Sequence, residues 1–77
     1  MKPIMNRDDA WRIGTVGLGE VDRAAVVAAY RERGGTLAKV DVGRLRLALR
    51  DVRRGLEDRG RLDRASDITR REDSLGD

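Results

Sequence analysis

At 77 residues, the chain forms one small domain at most, and a domain of this size buries only about 60% of the surface that its unfolded chain exposes. Lys and Arg number 17 against 14 Asp and Glu, which gives a net charge of +3. The absence of Cys and His excludes disulfides and thiolate chemistry and removes the commonest general base and metal ligand, so we expect no enzyme, no metal site and no cofactor.

The first ten residues are polar and predict a flexible N-terminal arm, in which Asn6 is a candidate cap for a short helical turn that Gly14 would end. The following stretch, from Trp11 to Leu18, is apolar but interrupted by glycines, which is compatible with a short strand or with an apolar loop. We favour an irregular apolar segment that packs on the helices, because a single strand would have no partner in an otherwise helical chain.

A helix is predicted from Glu20 to Arg33, and Gly34 and Gly35 would stop it. Its centre, AAVVAAY, is apolar on every side of a helix, so more than one neighbour is needed to cover it. This pattern predicts self-association, with a second copy of the chain as one of those neighbours.

A second helix is predicted over residues 41–59, because apolar residues recur there at spacings of three and four along one stripe. Asp41 is the candidate N-terminal cap and Gly60 the candidate stop. The linker before this helix, TLAKV, is a candidate short strand. The stripe consists of Val42, Leu45, Leu49, Val52 and Leu56.

One flank of the second helix is rich in arginine: Arg46, Arg50 and Arg53 project together, with Arg54 just beyond them. The planar guanidinium donates hydrogen bonds in pairs, which suits phosphates and carboxylates. The flank is therefore the best candidate for a binding function. The alternative is that the acidic residues three or four positions away neutralise it, namely Asp51, Glu57 and Asp58.

The C-terminal segment, residues 63–77, has mixed charge and is predicted to be a mobile tail. Leu62, Ile68 and Leu75 are scattered and form no obvious stripe, and Ser66 is a candidate cap for one or two further turns.

The stretch from Trp11 to Val42, WRIGTVGLGEVDRAAVVAAYRERGGTLAKVDV, resembles the opening strand, helix and strand of a Rossmann dinucleotide-binding domain. Gly17 and Gly19 match the first two glycines of the fingerprint, and Asp41 matches the acidic residue that holds a ribose. Asp22 stands where the third glycine belongs. The resemblance implies a truncated dinucleotide-binding unit with a minimal βαβα arrangement.

Within the same stretch, VDRAAVVAAY resembles the recognition helix of winged helix-turn-helix regulators of the GntR type. Asp22 replaces the Ser that caps the helix, and Leu18-Gly19 stands upstream, one residue out of register. The residues that match the usual string are Val21, Asp22, Arg23, Val26, Ala29 and Tyr30. This resemblance implies that Arg23 points at DNA from the first turn of a major-groove helix.

Taken together, the patterns predict an all-α protein with two to three helices, spanning residues 11–62 between a flexible arm and a flexible tail. We expect a cytoplasmic, non-enzymatic regulatory or accessory protein that binds nucleic acid, DNA in preference to RNA, and forms a homo-oligomer. The alternative is a bacterial or phage-encoded protein-interaction module, an inhibitor or structural subunit that docks on a larger partner, and a lower alternative is the dinucleotide-binding unit. The candidate binding residues are Arg46, Arg50, Arg53, Arg54 and Arg23.

Overall fold

The computed structural model describes residues 7–76, with side chains from Asp9 onward, and contains four α-helices. They are α1 (Arg7–Thr15), α2 (Glu20–Glu32), α3 (Val42–Asp58) and α4 (Leu62–Gly76). The all-α prediction is confirmed. The βαβα alternative is wrong, since no strand occurs within residues 7–76, and the expected two to three helices are four. The candidate cap Asn6 lies outside the described residues.

Helix α3 is the centre of the fold, because it packs against each of the other three helices. Its predicted apolar stripe faces the core: Leu45, Leu49 and Leu56 are buried, and Val42 and Val52 are half-buried. The predicted ends are also confirmed. The Asp41 carboxylate accepts a hydrogen bond from the Arg44 backbone nitrogen at 3.1 Å, and Gly60 follows the helix with a positive φ of 74°.

Tyr30 fixes the connection between α2 and α3. Its ring is fully buried, and its hydroxyl donates to the Thr36 carbonyl at 2.8 Å and accepts from the Asp41 backbone nitrogen at 3.0 Å. Gly35 lies against this ring, where an added Cβ would come within 2.4 Å of the ring carbon Cζ. The linker is therefore held by a buried side chain through polar contacts, and the strand proposed for TLAKV does not form.

The N-terminal apolar segment is helical as far as Thr15, where we expected an irregular loop. Gly14 does not end α1, because it packs inside the helix against Leu45, and a Cβ there would lie 3.1 Å from the Leu45 Cδ2 atom. The helix ends one residue later, at Thr15, and Gly17 follows with a positive φ of 91°. Gly14 thus lets α1 approach α3 closely. The glycine that marks the end of the helix is Gly17, three residues further on.

The expected C-terminal tail is also a helix, α4, which buries Ala65, Ile68 and Leu75 against the rest of the molecule. Ser66 is an exposed residue inside this helix and does not cap it. The spacing of large apolar residues does not reveal this helix. Leu62 is 62% exposed, and the buried side carries the charged residue Glu72 between Ile68 and Leu75. Glu72 occupies that position because Arg53 of α3 neutralises it.

Candidate functional site

Three of the predicted binding residues on α3 are exposed: Arg46, Arg50 and Arg54. None of them makes an ion pair with any side chain from Asp9 to Gly76 that the structure describes. They are spaced four residues apart, so successive Cα atoms rise by about 6 Å along the helix axis. We refer to these three residues as the outer arginine face. Their guanidinium donors are available to a phosphate or carboxylate.

Arg53 is also on this flank, but its guanidinium is engaged. Its Nε atom donates to Glu72 Oε2 at 2.7 Å and its Nη1 atom to Glu57 Oε1 at 2.9 Å, and only 25% of the side chain is exposed. The hydrogen bond to Glu72, followed by the attraction of both carboxylates, raises the pKa of Arg53 above its ordinary value. Arg53 therefore joins α3 to α4, and its assignment as a binding residue stays a prediction.

The predicted neutralisation of the flank by nearby acids occurs only in part. Glu57 does pair with Arg53, but Asp51 receives a bidentate interaction from Arg33, the residue that follows α2, at 2.8 and 2.9 Å. That hydrogen-bonded pair, assisted by the charges of Arg54 and Arg50, holds the pKa of Asp51 below its ordinary value. Asp51 is thus oriented toward α2, and the outer arginine face keeps unpaired positive charge.

A shallow concavity of about 370 Å³ lies along this flank between α3 and α4. Leu47, on its wall, is 40% exposed. The concavity combines cationic donors with one exposed apolar side chain. Its lining consists of Gly43, Arg46, Leu47, Arg50, Arg53 and Glu72.

Arg23 belongs to a different surface. It is exposed in the first turn of α2 and lines, with Trp11 and Arg12, a concavity of about 340 Å³ on the α1 side of the molecule. The Trp11 ring is held edge-on against Tyr30, with 5.6 Å between the ring centroids. Sequence reasoning missed Arg12, because the segment that carries it was interpreted as a loop.

The residues that carry the GntR resemblance mostly serve the core. Gly19 precedes the helix as its cap position, and Asp22 is inside the helix. Asp22 is buried and accepts both guanidinium hydrogen bonds of Arg64 from α4, one of them at 2.9 Å. The Arg64 hydrogen bonds, against the opposing effect of burial, hold the pKa of Asp22 below its ordinary value. The cap role expected for Asp22 is therefore wrong, since the carboxylate is needed for an interhelical pair.

The Rossmann resemblance lacks its structural context. The residues that would form the opening strand lie in α1, and Gly17 and Gly19 are in the turn between α1 and α2. Asp41, which would hold a ribose, caps α3. The strand-turn-helix geometry that holds a pyrophosphate is therefore not found in residues 7–76.

Within the described part of the chain, no three Asp or Glu residues lie together in a way that could hold a metal ion, and no helix is long and apolar enough to cross a membrane. No protein-family model matches the sequence, and no curated protein or solved structure is significantly similar to it.

Proposed function

We propose that this protein is a small, non-enzymatic regulatory or accessory factor of the cytoplasm that binds nucleic acid through the outer arginine face of α3. The observation that carries the proposal is that Arg46, Arg50 and Arg54 are exposed on one helix without a carboxylate partner among the described side chains. Phosphate contacts of this kind supply most of the affinity of sequence-independent binding. Arg53 and Arg23 are secondary candidates.

Duplex DNA is the preferred form of nucleic acid in this proposal. The major groove of B-form DNA is about 12 Å wide and admits an α-helix, whereas that of an A-form RNA duplex is too deep and narrow for side chains to read. Single-stranded nucleic acid is recognised mainly by stacking on aromatic side chains, and the chain has only one Trp and one Tyr. Of these, Tyr30 is fully buried.

A second candidate function is docking on a larger protein partner, as a bacterial or phage-encoded inhibitor or structural subunit would. The observation that favours it is Leu47, which is 40% exposed and lines the same concavity as Arg46 and Arg50. An exposed apolar side chain with arginines beside it fits an acidic protein surface that has an apolar pocket. In that case, Leu47→Ala weakens the complex, and the arginine substitutions chiefly slow association.

The experiment is a salt series of duplex DNA binding, measured by fluorescence anisotropy. The double variant Arg46→Ala/Arg50→Ala removes two cations from the outer arginine face. Its matched control, Arg61→Ala/Arg70→Ala, removes two exposed cations from the α3–α4 turn and from α4, neither of them paired with a described side chain. Each lost phosphate contact flattens the slope of log affinity against log salt by about 0.9.

We expect the first variant to flatten this slope by up to about 1.8 and the control to leave it nearly unchanged. If both variants flatten the slope equally, DNA binding depends on the total charge of the protein and not on the outer arginine face. If the unaltered protein shows no salt-sensitive binding to DNA or RNA at low ionic strength, the nucleic-acid proposal is wrong.

A further inference from the structure

The side of α2 that faces away from the core has an apolar centre and oppositely charged ends. Ala24 and Ala28 are exposed and Val27 is half-buried, while Glu20 lies at the beginning of the helix and Arg31 near its end. Together with Arg23, these five residues line one shallow depression on the surface of α2. The buried residues Asp22, Val26 and Tyr30 are on the opposite side of the helix.

The spacing on this side is that of a helix-pairing surface. Glu20, Ala24, Val27 and Arg31 recur at intervals of four, three and four, which is the spacing of the contact positions in a coiled coil. The alanines allow a second helix to approach closely, toward the lower end of the usual range of about 8–10 Å between helix axes.

The order of the charges makes this surface complementary to itself. When two α2 helices are placed antiparallel about a two-fold axis at their centre, Glu20 of one copy lies opposite Arg31 of the other, and Ala24 lies opposite Val27. Both charge pairs are then attractive, and the apolar centres coincide. In a parallel arrangement, Glu20 would face Glu20 and Arg31 would face Arg31, which is repulsive.

We propose that the outer side of α2 pairs antiparallel with α2 of a second copy of this chain, forming a two-fold dimer. A single helix face is smaller than the roughly 800 Å² per partner of a typical stable interface, so the dimer is weak and depends on protein concentration. This proposal does not use the outer arginine face of α3, so it stands or fails independently of the proposed function.

Charge reversal tests the pairing, with sedimentation velocity over a concentration series as the measurement. Glu20→Arg puts two cations opposite each other at both ends of the dimer, and Arg31→Glu does the same with two anions. We expect each single variant to raise the dimer dissociation constant about tenfold or more. An equimolar mixture of the two variants restores attraction at both ends, so dimers reappear in the mixture.

Cysteine cross-linking tests the orientation without altering charge, which also covers the case in which a charge variant folds poorly. The chain has no native cysteine, so Ala24→Cys and Val27→Cys introduce single thiols. Under mild oxidation, an antiparallel dimer cross-links a mixture of the two variants faster than either variant alone. A parallel pair would instead cross-link Ala24→Cys with itself.

The proposal is overturned if the unaltered protein stays monomeric up to millimolar concentration. It is also overturned if neither charge variant changes the association while circular dichroism shows that both remain helical, because association would then use another surface. Cross-linking of Ala24→Cys alone at the rate of the mixture would reject the antiparallel arrangement.

Discussion

The arginines that lie between helices differ in their surroundings from those on the outer arginine face. Arg53 binds Glu72 across α3 and α4, Arg64 binds Asp22 across α4 and α2, and Arg71 donates to two carbonyls at the end of α1. The outer arginine face has no such partners among the described side chains. The same residue type therefore fastens α4 to the fold in one region and leaves unpaired charge in the other.

Burial explains why the two regions should respond differently to mutation and to salt. The Arg71 and Glu72 side chains are each only 14% exposed, so their interactions are shielded from water and ions. Exposed arginines on the outer face are screened and contribute little to folding. We expect the interhelical arginines to affect stability and the outer arginines to affect binding.

The largest expected effect comes from Leu49, because α3 supports both regions. Its side chain is fully buried, so Leu49→Ala should lower the free energy of unfolding by about 2–5 kcal/mol, through lost burial and the cavity that remains. The measurement is urea denaturation followed by circular dichroism. Leu62→Ala is the control, since Leu62 is 62% exposed and its truncation should cost about 0.5 kcal/mol or less. A similar loss of unfolding free energy in both variants would mean that Leu49 is not part of the core.

The two central helices could be predicted from sequence because their signals are local. The helix ends predicted from Gly34, Asp41 and Gly60 lie within one or two residues of the observed helix ends. The apolar stripe of α3 consists of large residues. Such signals act through neighbouring backbone and need no knowledge of the tertiary fold.

The outer helices could not be predicted in the same way. In α1 and α4 the buried side includes Gly14, Thr15 and Glu72, which look like a stop or a solvated surface until their partners are known. For two of these residues the partner is distant in sequence: Gly14 packs on Leu45 of α3, and Glu72 pairs with Arg53, 19 residues away. The same reason applies to the candidate site. Spacing predicts the Arg53 to Glu57 pair, but the Glu72 contact comes from another helix.

The next effect concerns Arg71, which serves as a side-chain cap for α1. Its Nη1 atom donates to the carbonyls of Ile13 and Val16, at 3.0 and 2.5 Å, and so satisfies acceptors that the end of a helix leaves open. Arg71→Ala should cost about 1–3 kcal/mol of unfolding free energy. The matched control is Arg70→Ala, one residue away, exposed and without an ion pair to a described side chain. A loss equal to that of the control would contradict the capping role.

A smaller effect, with a defined pH dependence, is expected at Asp22. Because the folded-state pKa of Asp22 is lowered by Arg64, its contribution to stability is fully present above its unfolded value of about 3.9. The contribution is lost as the pH falls through the lower, folded-state pKa. Asp22→Asn should therefore cost about 1 kcal/mol at pH 7, and the difference from the unaltered protein should disappear under acid conditions.

Thermal melts from pH 7 down to pH 2 would follow this difference. Asp51→Asn is the comparison, because its pair with Arg33 is more exposed and its pKa is lowered in the same direction. We expect the same trend with a smaller amplitude. This mechanism would be contradicted if the difference in melting temperature between Asp22→Asn and the unaltered protein grew as the pH fell.

The smallest effect on stability is expected from the substitutions with the largest effect on binding. Arg46→Ala/Arg50→Ala removes two exposed guanidinium groups that contact no described carboxylate, so the free energy of unfolding should change by no more than about 1 kcal/mol. The same variant should flatten the salt dependence of DNA binding, whereas Arg71→Ala should lower the melting temperature with little effect on that slope. A double variant that loses stability as Arg71→Ala does would show that the outer arginines also hold the helices together. The two regions would then share one structural role, and the α3 surface would no longer be a reason to expect nucleic-acid binding.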